Sequence, residues 1–191
     1  MSEKRVQKTK GKKDAARELA VPEGVSVAYA GGIFKAKGKS GECSKALVAK
    51  NVSIKIEGEK ILLSAKKATK REKRMIATFI SHMKNMLRGS NDGHTYVLKI
   101  CSGHFPMTVS STKDEFVVKN FIGEKIPRKL KIKAGAAVKV DGDKVVVQSA
   151  SKEIAGQVSA DIENLTKRAN YDTRIFQDGI YIVNKDGKEL K

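Results

Sequence analysis

The sequence predicts an α+β fold of two tandem repeats, each an antiparallel β-sheet packed against one α-helix, and three observations carry that reading. Short runs alternating Val or Ile with polar residues lead into an amphipathic helical stretch, and this order occurs twice. Within it, Lys55-Ile56-Glu57-Gly58-Glu59-Lys60-Ile61 matches Lys139-Val140-Asp141-Gly142-Asp143-Lys144-Val145 position by position, at a constant offset of 84 residues (55 onto 139, 61 onto 145). Seven chemically equivalent positions, each set followed by a helix, point to duplication. The chain of 191 residues is also 40% hydrophobic, enough apolar material for packed cores. The resulting division is a basic flexible arm at 1–20, a first repeat at 21–90, a second at 91–166 and a C-terminal tail at 167–191.

The arm carries Lys4, Arg5, Lys8, Lys10, Lys12 and Lys13 with almost no apolar residue before Leu19, so it cannot bury a core of its own. Two roles stand for it: a solubilising tail or fusion scar, and a phosphate-binding arm. From Pro22 onward, residues 25–28 and 33–37 flank Ala30-Gly31-Gly32, and residues 52–57 and 61–64 flank Gly58; both pairs read as hairpins. Ile76, Ile80, Met83 and Leu87, joined by Phe79 and Met86, recur at helical spacing. Thr69 followed by Glu72 is a capping-box signature for the start of that helix, and its end is expected near Gly89. After Gly93, residues 96–100, 107–111 and 115–120 read as strands, and residues 137–140 and 144–148 flank an Asp141-Gly142 turn. Ile154, Val158, Ile162 and Leu165 mark the second amphipathic helix.

Lys plus Arg number 39 against 21 Asp plus Glu, a net charge of +18, which calls for an anionic partner, nucleic acid first. The charge is uneven: +4 over 1–20, +10 over 21–90, +2 over 91–166 and +2 over 167–191. No run approaches the roughly 18 apolar residues of a bilayer span, and no apolar stretch follows the basic N-terminus, so neither a membrane segment nor a secretion signal is expected. Cys43 and Cys101 lie far apart without a Cys-x-x-Cys pair, and His82, His94 and His104 show no ligand spacing. No metal and no cofactor are expected, and both thiols are expected to be free and buried in a reducing cytosol. The Ser and His residues form no nucleophile motif and no Gly-x-x-x-x-Gly-Lys loop occurs, so no catalytic residue is nominated.

Lys66, Lys67, Lys70, Arg71, Lys73 and Arg74 crowd the start of the first helix, where the helix dipole disfavours each cation by about 0.3–1 kcal/mol at low salt. Phosphate contact and a solvated face are both open readings. Lysines suit backbone contact better than base reading. Aromatics at 5% and no Trp offer little for stacking single strands, so structured, largely duplex nucleic acid fits the composition better. Gly156 falls within the second helix, at a cost of about 1 kcal/mol relative to Ala. Close helix-on-sheet packing or backbone approach to a ligand would each account for it, and Gln157 beside it either donates to a phosphate or faces water. Ser102-Gly103-His104-Phe105-Pro106 is a small polar turn between two strands.

Three separated segments, in order, resemble the universal large-subunit ribosomal protein six family in its archaeal and eukaryotic form. Lys152-Glu153-Ile154-Ala155-Gly156-Gln157-Val158-Ser159-Ala160-Asp161-Ile162 is similar to the family's helix pattern, with Gly-Gln followed by a small-residue pair. Gly103-His104-Phe105-Pro106 resembles its second-repeat turn, and Arg174-Ile175-Phe176-Gln177-Asp178-Gly179-Ile180-Tyr181 its archaeal C-terminal signature. The match runs from about Pro22 to Val183; the bacterial Glu-Pro-Tyr tail is absent, and the arm lies outside the pattern. The resemblance implies a structural component of the large ribosomal subunit in the cytoplasm. It would bind 23S ribosomal RNA near the base of the sarcin-ricin loop, beside neighbouring large-subunit proteins and in transient proximity to elongation-factor GTPases. Contact mainly through the second repeat and tail carries over to Gly103, His104, Lys152, Gly156, Gln157, Lys167, Arg168 and Arg174. The greater charge of the first repeat runs against that placement, so its basic cluster either touches additional RNA or faces solvent. The alternative is a non-ribosomal RNA-binding regulator or chaperone built from the same repeats; a DNA-binding architectural protein and an enzyme acting on RNA lie further off.

Overall fold

The computed structural model of the chain describes residues 14–58, 60–172 and 174–190. The first repeat comprises β1 (Ala15–Ala20), β2 (Ser26–Ala30), β3 (Ile33–Gly38), β4 (Gly41–Ala46), β5 (Ser53–Glu57), β6 (Lys60–Ala65) and α1 (Lys70–Asn91). Its strands form two three-stranded antiparallel sheets, ordered β1-β6-β5 and β2-β3-β4. Ala30 pairs with Ile33 across Gly31-Gly32, whose φ values of +57° and +80° are the two positive angles of a I′-type loop. Alternation then sends Phe34 and Ala36 of β3, and Ile61, Leu63 and Ala65 of β6, into the core.

Helix α1 lays Ile76, Phe79, Ile80, Met83, Met86 and Leu87 on those strands, and each fully buried side chain of this size contributes roughly 1.5–3 kcal/mol. Its start is the expected capping box: the Thr69 N–H donates to Glu72 Oε2 at 2.8 Å, and the Arg71 N–H donates to Thr69 Oγ1 at 3.2 Å. The helix runs past Gly89 to Asn91, two residues beyond the end expected from sequence.

The second repeat comprises β7 (His94–Cys101), β8 (Thr108–Ser111), β9 (Glu115–Lys119), β10 (Arg128–Lys131), β11 (Ala136–Asp141), β12 (Lys144–Ser149), α2 (Lys152–Leu165), β13 (Gly179–Lys185) and β14 (Lys188–Glu189). Its sheets are β11-β12-β7-β13-β14 and β10-β9-β8. Leu98, Phe116, Val118, Val145, Val147, Val158, Ile162 and Ile180 fill the core beneath α2. Asp141 pairs with Lys144, so the loop of the β11–β12 hairpin is Gly142-Asp143, one residue later than expected, with φ of +57° at Gly142.

Three expectations need correction. The arm ends earlier than residue 20: residues 15–20 form β1, paired along its whole length with β6, because Leu19 turns into the first core and the free edge of β6 supplies hydrogen-bond partners. Residues 1–13, with the arm's lysines and Arg5, lie outside the described residues. The segment 167–191 is not an appended tail, since β13 pairs with β7 next to the middle of the large sheet and Ile180 is fully buried. Cys43 is free and buried as expected, whereas Cys101 is free but only half-buried, at the end of β7. No helix among the described residues is long and apolar enough to cross a membrane.

The repeats meet along the C-terminal half of α1. A Cβ on Gly89 would lie 2.0 Å from the Ala150 carbonyl oxygen and 2.8 Å from the His94 ring, so only glycine permits this approach. Lys45 of the first repeat forms an ion pair with Glu153 of the second. Asp186, at the β13–β14 turn with φ of +55°, lies 3.3 Å from Arg88, 3.0 Å from His94 Nδ1 and 3.6 Å from Lys152.

Candidate nucleic-acid interface

The irregular stretch from Thr166 to Asp178 is positioned at both ends. At its start, the guanidinium of Arg128 donates to the Leu165 carbonyl at 2.6 Å, satisfying an orphan acceptor of the α2 C-terminus with a cation where the dipole favours one. Arg128 is itself held by two bonds to Glu124, at 2.8 and 2.7 Å, and lies 4.5 Å over the Phe121 ring. These Arg128 bonds hold the Glu124 carboxyl below the usual carboxylate range. The Thr166 hydroxyl then accepts the Ile180 N–H at 2.9 Å, tying the end of the helix to β13.

At its far end stands Asp178, buried, gathering the 102–106 turn. Its Oδ1 accepts the N–H groups of Gly103 and His104 at 2.6 and 3.1 Å, and its Oδ2 lies 2.5 Å from His104 Nδ1. Burial by itself would raise this carboxyl. The hydrogen bonds from the His104 side chain and the two backbone amides, with the His104 charge, outweigh that cost and hold it below the ordinary range.

On this base a series of three rings extends outward and ends on a cation. His104 and Phe176 have ring centroids 5.0 Å apart, Phe176 meets Tyr171 edge-on at 5.0 Å, and the Arg168 guanidinium lies 4.4 Å over Tyr171. Lys167, Arg168, Tyr171, Phe176 and Tyr181 border a cavity of about 350 Å³. Arg174 lies in the same stretch, 88% exposed along its side chain, and is bonded to Asp172 at 2.7 Å, which holds that carboxyl low and pushes the guanidinium up.

The fold thus gathers Gly103, His104, Lys167 and Arg168 around Asp178, Phe176 and Tyr171, and Arg174 lies in the adjoining stretch, paired with Asp172. It does not bring Lys152, Gly156 and Gln157 there. Lys152 opens α2 at the joint between repeats, 3.6 Å from Asp186. Gly156 faces the sheet, where an added Cβ would meet Tyr96 Oη at 3.5 Å, an ordinary contact distance. Gln157 is exposed and donates to Asp161 on its own helix at 2.8 Å. Lys66, Lys67, Lys70, Arg71, Lys73 and Arg74 are all exposed, and among the described residues none of them is ion-paired. Glu72, the acidic residue of that first turn, is pulled down to about 2 by its bonds from the Thr69 side chain and backbone. The Lys67 N–H donates to Asp14 at 2.7 Å, so the turn carrying the cations is fastened to the residue just before β1.

Sequence reasoning passed over Asp178, Tyr171 and Phe176 as site residues. The signal available was local: two aromatics five residues apart around Arg174, in a chain with few aromatics. No group of three or more His, Cys, Asp or Glu residues among those described could hold a metal ion.

Comparison with known proteins matches the family profile described as Ribosomal protein L6 to residues 21–93 and again to residues 105–179. The large ribosomal subunit protein uL6 of Methanosarcina mazei is 40% identical over 173 residues, covering 91% of this chain and 98% of the relative. The protein of the same name from Methanococcus vannielii is 40% identical over 173 residues, covering 91% and 95%. That from Methanobrevibacter smithii is 40% identical over 169 residues, covering 88% and 95%.

Proposed function

The chain belongs to the ribosomal protein L6 family, and on that premise we propose that it binds 23S ribosomal RNA near the base of the sarcin-ricin loop, beside the site where elongation-factor GTPases land. Membership makes it a structural constituent of the large ribosomal subunit, in the cytoplasm, with ribosomal RNA and neighbouring large-subunit proteins as its partners. The loop cluster of the second repeat supplies the principal contact, with Gly103, His104, Lys167, Arg168 and Arg174 as its members. Lys152, Gly156 and Gln157 belong to the proposal as a second line of contact along α2.

The observation that supports this reading best is the convergence of the 102–106 turn and the 166–178 stretch on Asp178. Residues separated by more than 70 positions in sequence are brought together there into one cationic and aromatic surface. The basic start of α1 is a second phosphate surface on the same molecule. Six cations, unpaired among the described residues, at an unfavourable helix end are costly in isolation, and a phosphate backbone offsets that cost.

Footprinting of the purified protein on naked 23S RNA tests the assignment. Protection is expected in the stem beneath the sarcin-ricin loop; protection elsewhere alone overturns the placement. A free regulator is distinguished by sedimentation. The ribosomal reading requires the protein to pellet with large subunits through a high-salt cushion, whereas a regulator washes off.

A further inference from the structure

We propose that the cavity beside α2 in the second repeat is a socket for a single unpaired RNA base, whose flanking phosphates rest on Lys167 and Arg168. The inference rests on the reading of this chain as an RNA-binding protein and says what its loop cluster recognises.

Composition argues against stacking, since aromatics are only 5% of the chain. The fold overturns that argument by concentrating them: Tyr171, Phe176 and Tyr181 line the same cavity, and the His104 ring lies tilted against Phe176 with centroids 5.0 Å apart. Tyr171 is 39% exposed and Tyr181 38%, although both rings carry large apolar surface that a packed core would otherwise cover. The volume of about 350 Å³ falls in the range of roughly 300–1,000 Å³ typical of small-ligand sites.

The polar lining selects a base over a bare phosphate. Glu163 borders the cavity from the last turn of α2, and a carboxylate repels phosphate but accepts hydrogen bonds from exocyclic amino groups of bases. Lys167 and Arg168 follow directly on that helix, where cations meet the backbone on either side of an inserted base. Arg168, already 4.4 Å over Tyr171, extends the stacking surface with its guanidinium plane. A base within a continuous duplex cannot enter, because both of its faces are covered by neighbouring pairs; a bulged or looped-out base can. Asp178 makes the socket rigid, its carboxylate being occupied by Gly103 and His104.

The test uses the full chain and two short RNA hairpins of equal length, one carrying a single bulged 2-aminopurine and one carrying it paired, beside a full-length 23S transcript. The bulged hairpin is expected to bind about 5- to 150-fold tighter, the range corresponding to one base–aromatic stack, and its fluorescence should be quenched on binding. Tyr171→Leu should abolish the preference and the quenching, and Tyr171→Phe should keep both. Equal binding of the two hairpins without quenching, or binding of neither at concentrations that saturate the 23S transcript, overturns the socket and leaves the ribosomal reading intact. Failure to bind the 23S transcript overturns the ribosomal reading, and the socket with it. Comparing the hairpins requires no variant, so it decides the matter even if Tyr171→Leu does not fold.

Discussion

Nδ1 of His94 lies 3.0 Å from Oδ2 of Asp186, joining the first residue of β7 to the turn that closes the C-terminal hairpin. The contact is close but not aligned as a hydrogen bond, whereas Nε2 of the same ring donates to the Asn85 carbonyl at 2.9 Å. His94 is wholly buried between the repeats, and the Asp186 carboxylate, 6% exposed, also neighbours Arg88 of α1 and Lys152 of α2. One carboxylate therefore links both helices and the large sheet. Asp186→Asn keeps the size and tolerates the positive φ, but removes the charge from three cationic or polar neighbours. Arg88 and Lys152 are partly solvated, which reduces the loss. The variant is expected to be less stable by about 1–3 kcal/mol in denaturant unfolding. An unchanged midpoint would show that the joint is held by packing alone.

Two helical glycines should respond in opposite directions to alanine. Gly89→Ala places a methyl 2.0 Å from a backbone oxygen that cannot move without shifting β12 or α2. Overpacking of about 1–3 kcal/mol or more then exceeds the propensity gain of about 1 kcal/mol. Gly156→Ala meets Tyr96 at 3.5 Å, an ordinary contact, and should be neutral or stabilising by up to about 1 kcal/mol. Gly156→Leu must push its side chain toward Tyr96 and is expected to lower Tm. Thermal melting of the three variants checks the ordering, and RNA affinity of Gly156→Ala reports whether that glycine also meets RNA.

These two glycines show where the sequence could and could not be read. Gly156 stands out because it interrupts a clear apolar period, while Gly89 looks like the end of its helix, a place where glycine is ordinary. Its actual reason, the Ala150 carbonyl of the other repeat, is a tertiary contact that no local pattern encodes. The same division holds for strands. Hairpins with glycine turns and Val/Ile alternation were legible, as were both helices and the Thr69–Glu72 cap. Strand β1, with the sequence Ala-Ala-Arg-Glu-Leu-Ala, has helical propensity and becomes a strand only because β6 offers it an edge. Of the site, the cations and the Gly103-His104 turn could be named from sequence. Their convergence on Asp178 spans over 70 positions and follows from the pairing of β13 with β7.

The exposed cations at the start of α1 give a measurable count of phosphates. Replacing Lys66, Lys67, Lys70 and Lys73 together by Gln should leave the fold unchanged, since all four are exposed and unpaired among the described residues. If they neutralise phosphates of duplex RNA, the slope of log affinity against log salt should flatten by about 0.9 for each phosphate that the variant leaves to its counterions. Titrations of the wild type and the variant on the 23S transcript at several salt concentrations measure the difference. An identical slope assigns the patch to solvent and leaves RNA contact to the second repeat.

Asp178 ties the loop cluster to pH. Its folded carboxyl titrates below the ordinary range, whereas in the unfolded chain an Asp titrates near 3.9. A depressed folded value means that the unfolded state binds the proton first, so the stabilisation is fully present above about pH 4 and is lost as pH falls through the folded value. Asp178→Asn removes the charge-assisted bond with His104 but leaves a side-chain oxygen for the Gly103 N–H. It should cost about 1–3 kcal/mol at pH 6. The gap in Tm between wild type and variant should then narrow as pH is lowered from about 4, because protonation takes from the wild type what the substitution has already taken from the variant. Melting curves of both proteins across that window provide the check. A gap that stays constant down to the lowest pH would mean that the His104–Asp178 bond contributes nothing through its charge, and that the 102–106 turn is held by the two backbone amides alone.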